Sequence, residues 1–159
     1  MMFKSILIAN RGEIACRLIK SARRLGIKTY AVYSEADKHS LHTKEADVAV
    51  CIGQAESKKS YLNIKKVIEV AVENKVQAIH PGYGFLSENY LFAKKVEASG
   101  IKFIGPSWKS IREMGNKNNA KEIISSANIP LVDGFLVDKE KPVAVSYTHL
   151  RAHETIADL

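Results

Sequence analysis

The chain has 159 residues, which is enough for one domain with a buried core. It is 46% hydrophobic and 26% charged, ordinary values for a globular protein, and no apolar run approaches the roughly 20 residues of a membrane span. The net charge of +7 is compatible with nucleic-acid binding, but the cations are spread along predicted helices with few aromatic residues between them, which favours solvated helix faces, an anionic ligand or an acidic partner domain.

Strand and helix patterns alternate from the start of the chain. Short apolar runs predict strands at residues 5–9, 29–33, 48–51, 78–80 and 102–104. Apolar stripes at helical spacing predict helices at residues 14–25, 64–71, 87–99, 109–114 and 117–126. Asn63 and Ser87 are placed to cap helices, and Gly26 and Gly100 to end them. The alternation predicts an α/β fold, with a Rossmann-like, mainly parallel sheet and flanking helices.

The two ends of the chain differ in pattern. The first strand begins almost at the N-terminus, and we expect no signal or transit peptide there. After Phe135 the periodicity is lost, which predicts an irregular C-terminal tail. Parallel sheets bind ligands at the carboxyl ends of their strands. The loops after Ala9, His80 and Ile104 are therefore the candidate binding loops.

The first of these loops covers residues 9–15. Gly12 permits a sharp turn and a close approach of backbone N–H groups to a ligand. The loop has neither the dinucleotide-binding glycine pattern nor a phosphate-binding P-loop. Arg11 and Glu13 could pair with each other or with a neighbouring domain, or simply orient the helix that follows.

The second loop covers residues 80–89 and is rich in glycine. Gly82 and Gly84 flank Tyr83, which permits close approach by a ligand or another domain. We expect Tyr83 and Glu88 to project into the crevice at the edge of the sheet. The alternative is a strand-to-helix loop with no binding role. No cysteine or carboxylate lies at ligand spacing from His80, which disfavours a metal site there.

Isolated residues carry weaker signals. Lys117, at a predicted helix start, could offer its ammonium group to phosphate oxygens or be a surface lysine. His39 and His42 are either a metal-binding pair or ordinary loop histidines. Cys16 and Cys51 both lie in apolar patterns and are predicted to be small buried residues in a reducing compartment. We find no catalytic triad and no pair of catalytic carboxylates.

Six segments together resemble the biotin carboxylase family. They cover residues 6–17, 26–29, 59–63, 80–89, 103–106 and 114–117. Their order and spacing agree with that family over about 130 residues. Residues 15–17 and the Gly-Asn-Lys sequence at 115–117 are closest to acyl-CoA carboxylase subunits of the propionyl or methylcrotonyl type.

The resemblance implies an activity and an arrangement of domains. Members of the family use ATP, bicarbonate and Mg²⁺ to carboxylate biotin on a carrier domain, with carboxyltransferase subunits as partners, and they form dimers. Residues 1–115 would be the domain that precedes the ATP-grasp fold, 116–136 the start of the ATP-grasp region, and 137–159 a non-native or disordered tail. Lys117 would contact ATP phosphates. Tyr83, Gly84 and Glu88 would lie near biotin and bicarbonate.

The chain also departs from the family pattern. The glycine-rich loop that covers ATP, the second nucleotide lysine, the magnesium glutamates and the catalytic arginine have no counterpart in it, and Asp133 stands where the family has proline. Residues 145–155 resemble translated sequencing-adapter text. We therefore expect an inactive, cytoplasmic fragment without its ATP-grasp and C-terminal domains, which binds no cofactor tightly. A stand-alone nucleotide- or anion-binding module and a basic nucleic-acid-binding domain are the alternatives.

Overall fold

The computed structural model describes residues 3–115, 120 and 123–125. Contacts divide the chain into two units, Met1–Ala120 and Lys121–Leu159, and all the elements named below belong to the first. In the second unit, residues 123–125 are helical, as the sequence predicts. Lys117 and the tail predicted from residue 137 lie outside the described residues.

A five-stranded parallel sheet lies at the centre of the first unit. Its strands are β1 (Ser5–Ile8), β2 (Lys28–Ser34), β3 (Val48–Gly53), β4 (Ala78–His80) and β5 (Lys102–Phe103). Across the sheet their order is β3-β2-β1-β4-β5, so that β1 is the central strand. The predicted parallel α/β fold is confirmed, and each predicted strand ends within two residues of the observed one.

Within residues 3–115, five helices flank or follow the strands of this sheet. They are α1 (Gly12–Arg24), α2 (Leu41–Glu45), α3 (Ile64–Glu73), α4 (Tyr90–Ala98) and α5 (Trp108–Met114). Two short 3-10 turns cover Glu35–Asp37 and Ser57–Lys59. The sequence pattern did not predict α2, because a five-residue helix is too short to show helical periodicity.

The cap predicted for α4 is wrong. Asn89, not Ser87, caps the helix, since its Oδ1 accepts a hydrogen bond from the Phe92 amide at 3.0 Å. Ser87 instead donates its own amide to the carbonyl of Gly84 at 2.9 Å and belongs to a turn. This turn buries Leu86 against the core before the helix begins. Capping chemistry alone cannot distinguish two suitable residues that are two positions apart.

The core has two layers because β1 is covered on both faces. Leu7 points to one face, where it packs with residues of α3 and α4 such as Val67 and Phe92. Ile6 and Ile8 point to the other face, against α1. Apolar residues in succession are the expected pattern for a central parallel strand. This burial fixes the carboxyl end of β1, and with it the first candidate binding loop.

The burial predicted for the two cysteines is half right. Cys16 on α1 is buried, but Cys51 is exposed. Cys51 lies on β3, which is an edge strand of the sheet, and its side chain is on the uncovered face there. Among the described residues, no helix combines the length and the apolar character that crossing a bilayer requires.

Candidate functional site

The direction in which the chain adds strands to the sheet reverses between β1 and β4. From β1 the chain adds β2 and β3 on one side, and it then crosses over to add β4 and β5 on the other. The loops that follow β1 and β4 therefore leave adjacent carboxyl ends of the sheet. Such a switch point leaves a crevice between the two loops, and this is where α/β proteins of this type bind ligands.

Asn10 holds these two loops together. Its side chain is buried, and its Nδ2 donates hydrogen bonds to the carbonyls of Pro81 and Tyr83, each at 2.8 Å. Its Oδ1 accepts from the amide of Arg11 at 2.9 Å. An intramolecular hydrogen bond contributes about 1 kcal/mol to stability, so the two bonds to the second loop form a strong link, while the bond from Arg11 orients the Asn10 side chain within the first loop.

Gly82 is the point of closest approach between the loops. Its φ is +68°, and a Cβ atom placed there would lie 2.5 Å from Nδ2 of Asn10. Both facts require glycine, because other residues are strained at this φ and the added carbon would collide with a side chain that is itself fixed. From the sequence, Gly82 was expected to permit close approach by a ligand or another domain. The group that approaches it in the structure is Asn10 of the neighbouring loop.

The two loops enclose a shallow cleft of about 440 Å³, lined by residues 10–14 and 83–85. The N-terminus of α1 opens onto this cleft, and no side chain caps it. The first amide groups of a helix carry a partial positive charge and attract anions. The cleft therefore combines exposed loop backbone, the positive end of α1 and the half-exposed ring of Tyr83.

Beside the cleft, Asp37 is the centre of a hydrogen-bonded network. It forms an ion pair with Arg11 (Nη1 to Oδ1, 3.2 Å) and accepts hydrogen bonds from the hydroxyls of Tyr61 at 2.7 Å and Ser34 at 2.9 Å. The Tyr61 hydroxyl in turn accepts from the Ser34 amide at 3.1 Å. Arg11 therefore pairs with Asp37 and not with Glu13, which corrects the pairing considered in the sequence analysis.

Tyr61 connects this network to the second loop. Its ring stacks on that of Phe85 with centroids 5.0 Å apart, and the Arg11 guanidinium lies over the same ring at 6.0 Å. Phe85 has a φ of +40°, a strained value for a residue with a side chain. Such strain persists only where surrounding contacts enforce it, and here the stack on Tyr61 holds Phe85 in place at the wall of the cleft.

The network sets the charge states of its members. Burial favours protonation of Asp37, but hydrogen bonds from Tyr61 and Ser34 and the charge of Arg11 prevail and lower its pKa below the ordinary value. Burial, and then the bond to Asp37, raises the pKa of Tyr61. Asp37 is thus a carboxylate and Tyr61 a neutral phenol at neutral pH, which is the combination that their hydrogen bond requires.

His80, the last residue of β4, is neutral for a related reason. Burial, and then the charge of Arg17, lowers the pKa of its imidazole. Its Nδ1 accepts a hydrogen bond from the amide of Gly82 at 3.0 Å, which is possible only while that nitrogen carries no proton. The neutral ring therefore supports the turn in which Gly82 meets the first loop.

The structure brings together some of the residues singled out in the sequence and not others. Tyr83 and Gly84 line the cleft together with the first loop. Glu88 is exposed and does not line this cleft, and neither does the loop after Ile104. Lys117 lies outside the described residues. The roles inferred for these four residues stay predictions.

Sequence reasoning missed the residues that build the cleft. Asn10, Asp37 and Tyr61 each act through partners that lie 24 or more positions away along the chain. Tyr61 lies within a segment that resembles the biotin carboxylase family, and this resemblance was the one feature of the sequence that could have pointed to it as a site residue. The polar stretch from Ser34 to Asp37 follows a predicted strand directly, and its position at the carboxyl edge of the sheet could have drawn attention to it.

The structure does not pair His39 with His42, for which the sequence left open a metal-binding pair or two ordinary loop histidines. His42 is completely buried, whereas His39 is exposed, so the two rings face different surroundings. In the part of the chain that the structure describes, no group of three or more His, Cys, Asp or Glu side chains could hold a metal ion. Neither ring nitrogen of His42 forms a hydrogen bond of ordinary geometry, although the Val32 backbone interacts with the ring strongly enough to affect its pKa. Burial lowers the pKa of His42. The Val32 backbone and the charge of Asp37 act to raise this pKa, but burial prevails and the ring is neutral.

We expect His42→Leu to raise the free energy of unfolding by about 1 kcal/mol at pH 7, since it removes two buried nitrogens that form no hydrogen bond of ordinary geometry. A histidine with a lowered folded-state pKa stabilises the protein above the unfolded-state value of about 6.5, and this stability is lost as the pH falls further. The gain from the substitution should therefore grow below about pH 6.5. Urea unfolding at several pH values measures it, with exposed His39→Gln as a control that changes little. A loss of stability in His42→Leu at every pH would contradict this account.

Comparison with known proteins agrees with the geometry. A family model described as "Biotin carboxylase, N-terminal domain" matches residues 2–111. The mitochondrial propionyl-CoA carboxylase alpha chain of Caenorhabditis elegans is 51% identical over 147 residues, which are 91% of this chain and 20% of that protein. The mitochondrial methylcrotonoyl-CoA carboxylase subunit alpha of Rattus norvegicus is 54% identical over 130 residues, 82% of this chain and 18% of that one. The chain thus spans about a fifth of the length of these relatives.

A solved structure shows the same fold. The biotin carboxylase domain of the Hydrogenobacter thermophilus 2-oxoglutarate carboxylase, in complex with MgADP, ADP and bicarbonate, superposes with a TM-score of 0.82 at 48% identity. The match covers 85% of this chain and 30% of that one. The family match extends over both loops of the cleft and the network beside it. The chain therefore belongs to the biotin carboxylase N-terminal domain family.

Proposed function

We propose that this chain supplies one wall of a biotin carboxylase active site and that it does not catalyse the reaction alone. The observation that supports this most directly is the cleft at the switch point, where Asn10 fixes the Tyr83 loop beside the N-terminus of α1. The cleft is shallow and open, as expected of a surface that another domain completes. The relatives are about five times as long as this chain, which leaves room for such domains.

In this proposal the residues of the second loop face the substrates. Tyr83 and Gly84 border the space for biotin or bicarbonate, and Glu88 lies further along the same loop. Lys117 contacts the phosphates of ATP. The resemblance to the family supports these assignments, and the exposure of Tyr83 at 60% leaves its ring free to contact a ligand.

The described residues do not fit MgATP. Among them no cluster of carboxylates, histidines and cysteines could hold Mg²⁺. The cation that lines the cleft, Arg11, is paired with Asp37. Phosphoryl transfer requires metal ions and cations positioned around the phosphates. We therefore derive no reaction step from this part of the chain and assign it to positioning.

Several predictions about the whole protein belong to the same proposal. The ATP-grasp region begins at residues 116–136, residues 137–159 are not native to the fold, and the complete enzyme works with carrier and carboxyltransferase partners. Dimer formation would use α1, whose exposed Arg17 and Lys20 border a second cleft beside α2. The cytoplasmic location stays a prediction, and both relatives are mitochondrial by name.

The first experiment measures catalysis by the purified chain. We expect no bicarbonate-dependent ATP hydrolysis in the presence of Mg²⁺ and free biotin, and weak ATP binding or none by calorimetry. A full-length relative serves as the positive control. Turnover above background by the 159-residue chain would contradict the proposal. Saturable micromolar ATP binding without turnover would favour the second candidate, an anion-binding module, which the uncapped N-terminus of α1 supports.

The second experiment tests the positive part of the proposal. Residues 1–115 replace the corresponding domain in the H. thermophilus biotin carboxylase, to which this chain is 48% identical. We expect the chimera to keep bicarbonate-dependent ATP hydrolysis, and the same chimera with Asn10→Ala to lose most of it. A folded chimera without activity, or one that is indifferent to Asn10→Ala, would refute the assignment of this cleft to the active site.

A further inference from the structure

We propose that the face formed by α4 and α5 around Trp108 binds an acidic segment of another protein. Three cations lie over the indole ring, with Nζ of Lys94 at 4.9 Å, Nζ of Lys109 at 5.8 Å and Cζ of Arg112 at 5.6 Å from its centroid. Lys94 comes from α4 and the other two from α5, so the packing of the helices assembles the group. We call these four residues the Trp108 patch.

No carboxylate among the described residues pairs with the cations of the patch. In the region for which the structure gives positions, none of the three forms an ion pair. Glu97 and Glu113 each follow a patch lysine by about one turn, yet neither is within ion-pair distance. Three positive charges around one ring repel one another, and attraction to the indole face offsets only part of that repulsion. A bound carboxylate would relieve it.

The patch is also fixed in position before any partner arrives. Trp108 is half-buried and packs against the main core, and Ser107 caps α5 by accepting a hydrogen bond from the Ser110 amide at 3.1 Å. The cations are held above a rigid ring, so less conformational freedom is lost on binding. Arg112 adds a planar group that can bind one carboxylate through two parallel hydrogen bonds.

These features favour carboxylates over nucleic acid. Proteins that bind single strands stack bases on free aromatic faces, whereas cations lie over the ring of Trp108 and its body is partly buried. The net charge of +7 attracts either polyanion, but the local geometry fits side-chain carboxylates. None of the patch residues lines the cleft between the loops that follow β1 and β4, so the inference does not depend on carboxylase chemistry.

The test uses the whole chain and a ten-residue polyglutamate peptide. Trp108 is the single tryptophan of the protein, so its fluorescence reports on the patch alone, and calorimetry measures binding independently. We expect saturable binding that weakens as salt is added. The variant Lys94→Gln/Lys109→Gln/Arg112→Gln should bind at least about tenfold more weakly, since each exposed pair contributes a factor of about two to five.

A matched control removes the same number of charges elsewhere. The variant Lys58→Gln/Lys65→Gln/Lys66→Gln should bind nearly as the parent does, because two of its lysines are neighbours of Glu69 and none touches Trp108. Circular dichroism checks folding, and single Arg112→Gln replaces the triple variant if that one unfolds. Equal losses in both triple variants, no binding by the parent, or tighter binding of a 20-nucleotide oligothymidine would each overturn the inference.

Discussion

Replacing Asn10 by alanine is expected to lower the free energy of unfolding by about 2–4 kcal/mol, the largest effect at the cleft. The substitution removes three hydrogen bonds. It leaves the carbonyl of Pro81 without its donor in a buried place and that of Tyr83 without its donor in a partly buried one. The Tyr83 loop then loses its link to the first loop. Chemical denaturation measures the stability, and hydrogen exchange of the Tyr83 and Gly84 amides measures the release of the loop.

Two further variants make this prediction specific. Asn10→Asp keeps the size of the side chain but cannot donate to the two carbonyls, so it should be at least as damaging as alanine. Asn74→Ala is the matched control, because Nδ2 of Asn74 donates one hydrogen bond to the carbonyl of Val70, which keeps its bond from the Asn74 backbone amide. A cost for Asn10→Ala no greater than that of Asn74→Ala would show that the two loops are held by other contacts.

The second large effect concerns Asp37. We expect Asp37→Asn to lower the free energy of unfolding by about 1–3 kcal/mol at pH 7, because an ion pair and hydrogen bonds to a charged group are weakened together. The side chain is only 15% exposed, so solvent screens these contacts little. Tyr61→Phe, which removes one of the donors, should cost less, and the double variant should show less than the sum.

The lowered pKa of Asp37 determines how its contribution to the free energy of unfolding changes with pH. The pKa of Asp37 is lower in the folded protein than its ordinary value of 3.8, so the unfolded chain binds a proton first as the medium is acidified. The contribution of Asp37 is therefore complete above about pH 4 and is lost as the pH falls through the folded-state value. Asp37→Asn should flatten this acid limb, and exposed Glu35→Gln should not. Identical acid limbs in the two variants would contradict the proposed network.

The sheet and its candidate binding loops were predictable because they depend on local pattern. The apolar run of β1 and the amphipathic spacing of α1 are visible within a dozen residues. The alternation of such segments then indicates a parallel sheet. Because parallel sheets bind ligands at the carboxyl ends of their strands, the loops that follow those ends are identified as candidates. Tyr83 and Gly84 were reached in this way.

The contacts that shape the cleft were not predictable, because they join distant parts of the chain. Asn10 lies 71 positions from Pro81, and nothing local to either residue indicates the other. The assignment of Cys51 failed for the same kind of reason, since its exposure depends on the position of β3 at the edge of the sheet. The contact between Asn10 and Pro81 and the exposure of Cys51 both depend on the order of the strands, which is a property of the whole fold.

The most direct test of this account is nuclear magnetic resonance of the side-chain amide of Asn10. We expect strong Overhauser contacts between its Nδ2 protons and the α protons of Gly82, together with slow exchange of those amide protons with water. Scalar couplings across the hydrogen bonds to the carbonyl carbons of Pro81 and Tyr83 should also be present. A rapidly exchanging amide without contacts to residues 81–83 would show that the two loops do not form a common wall.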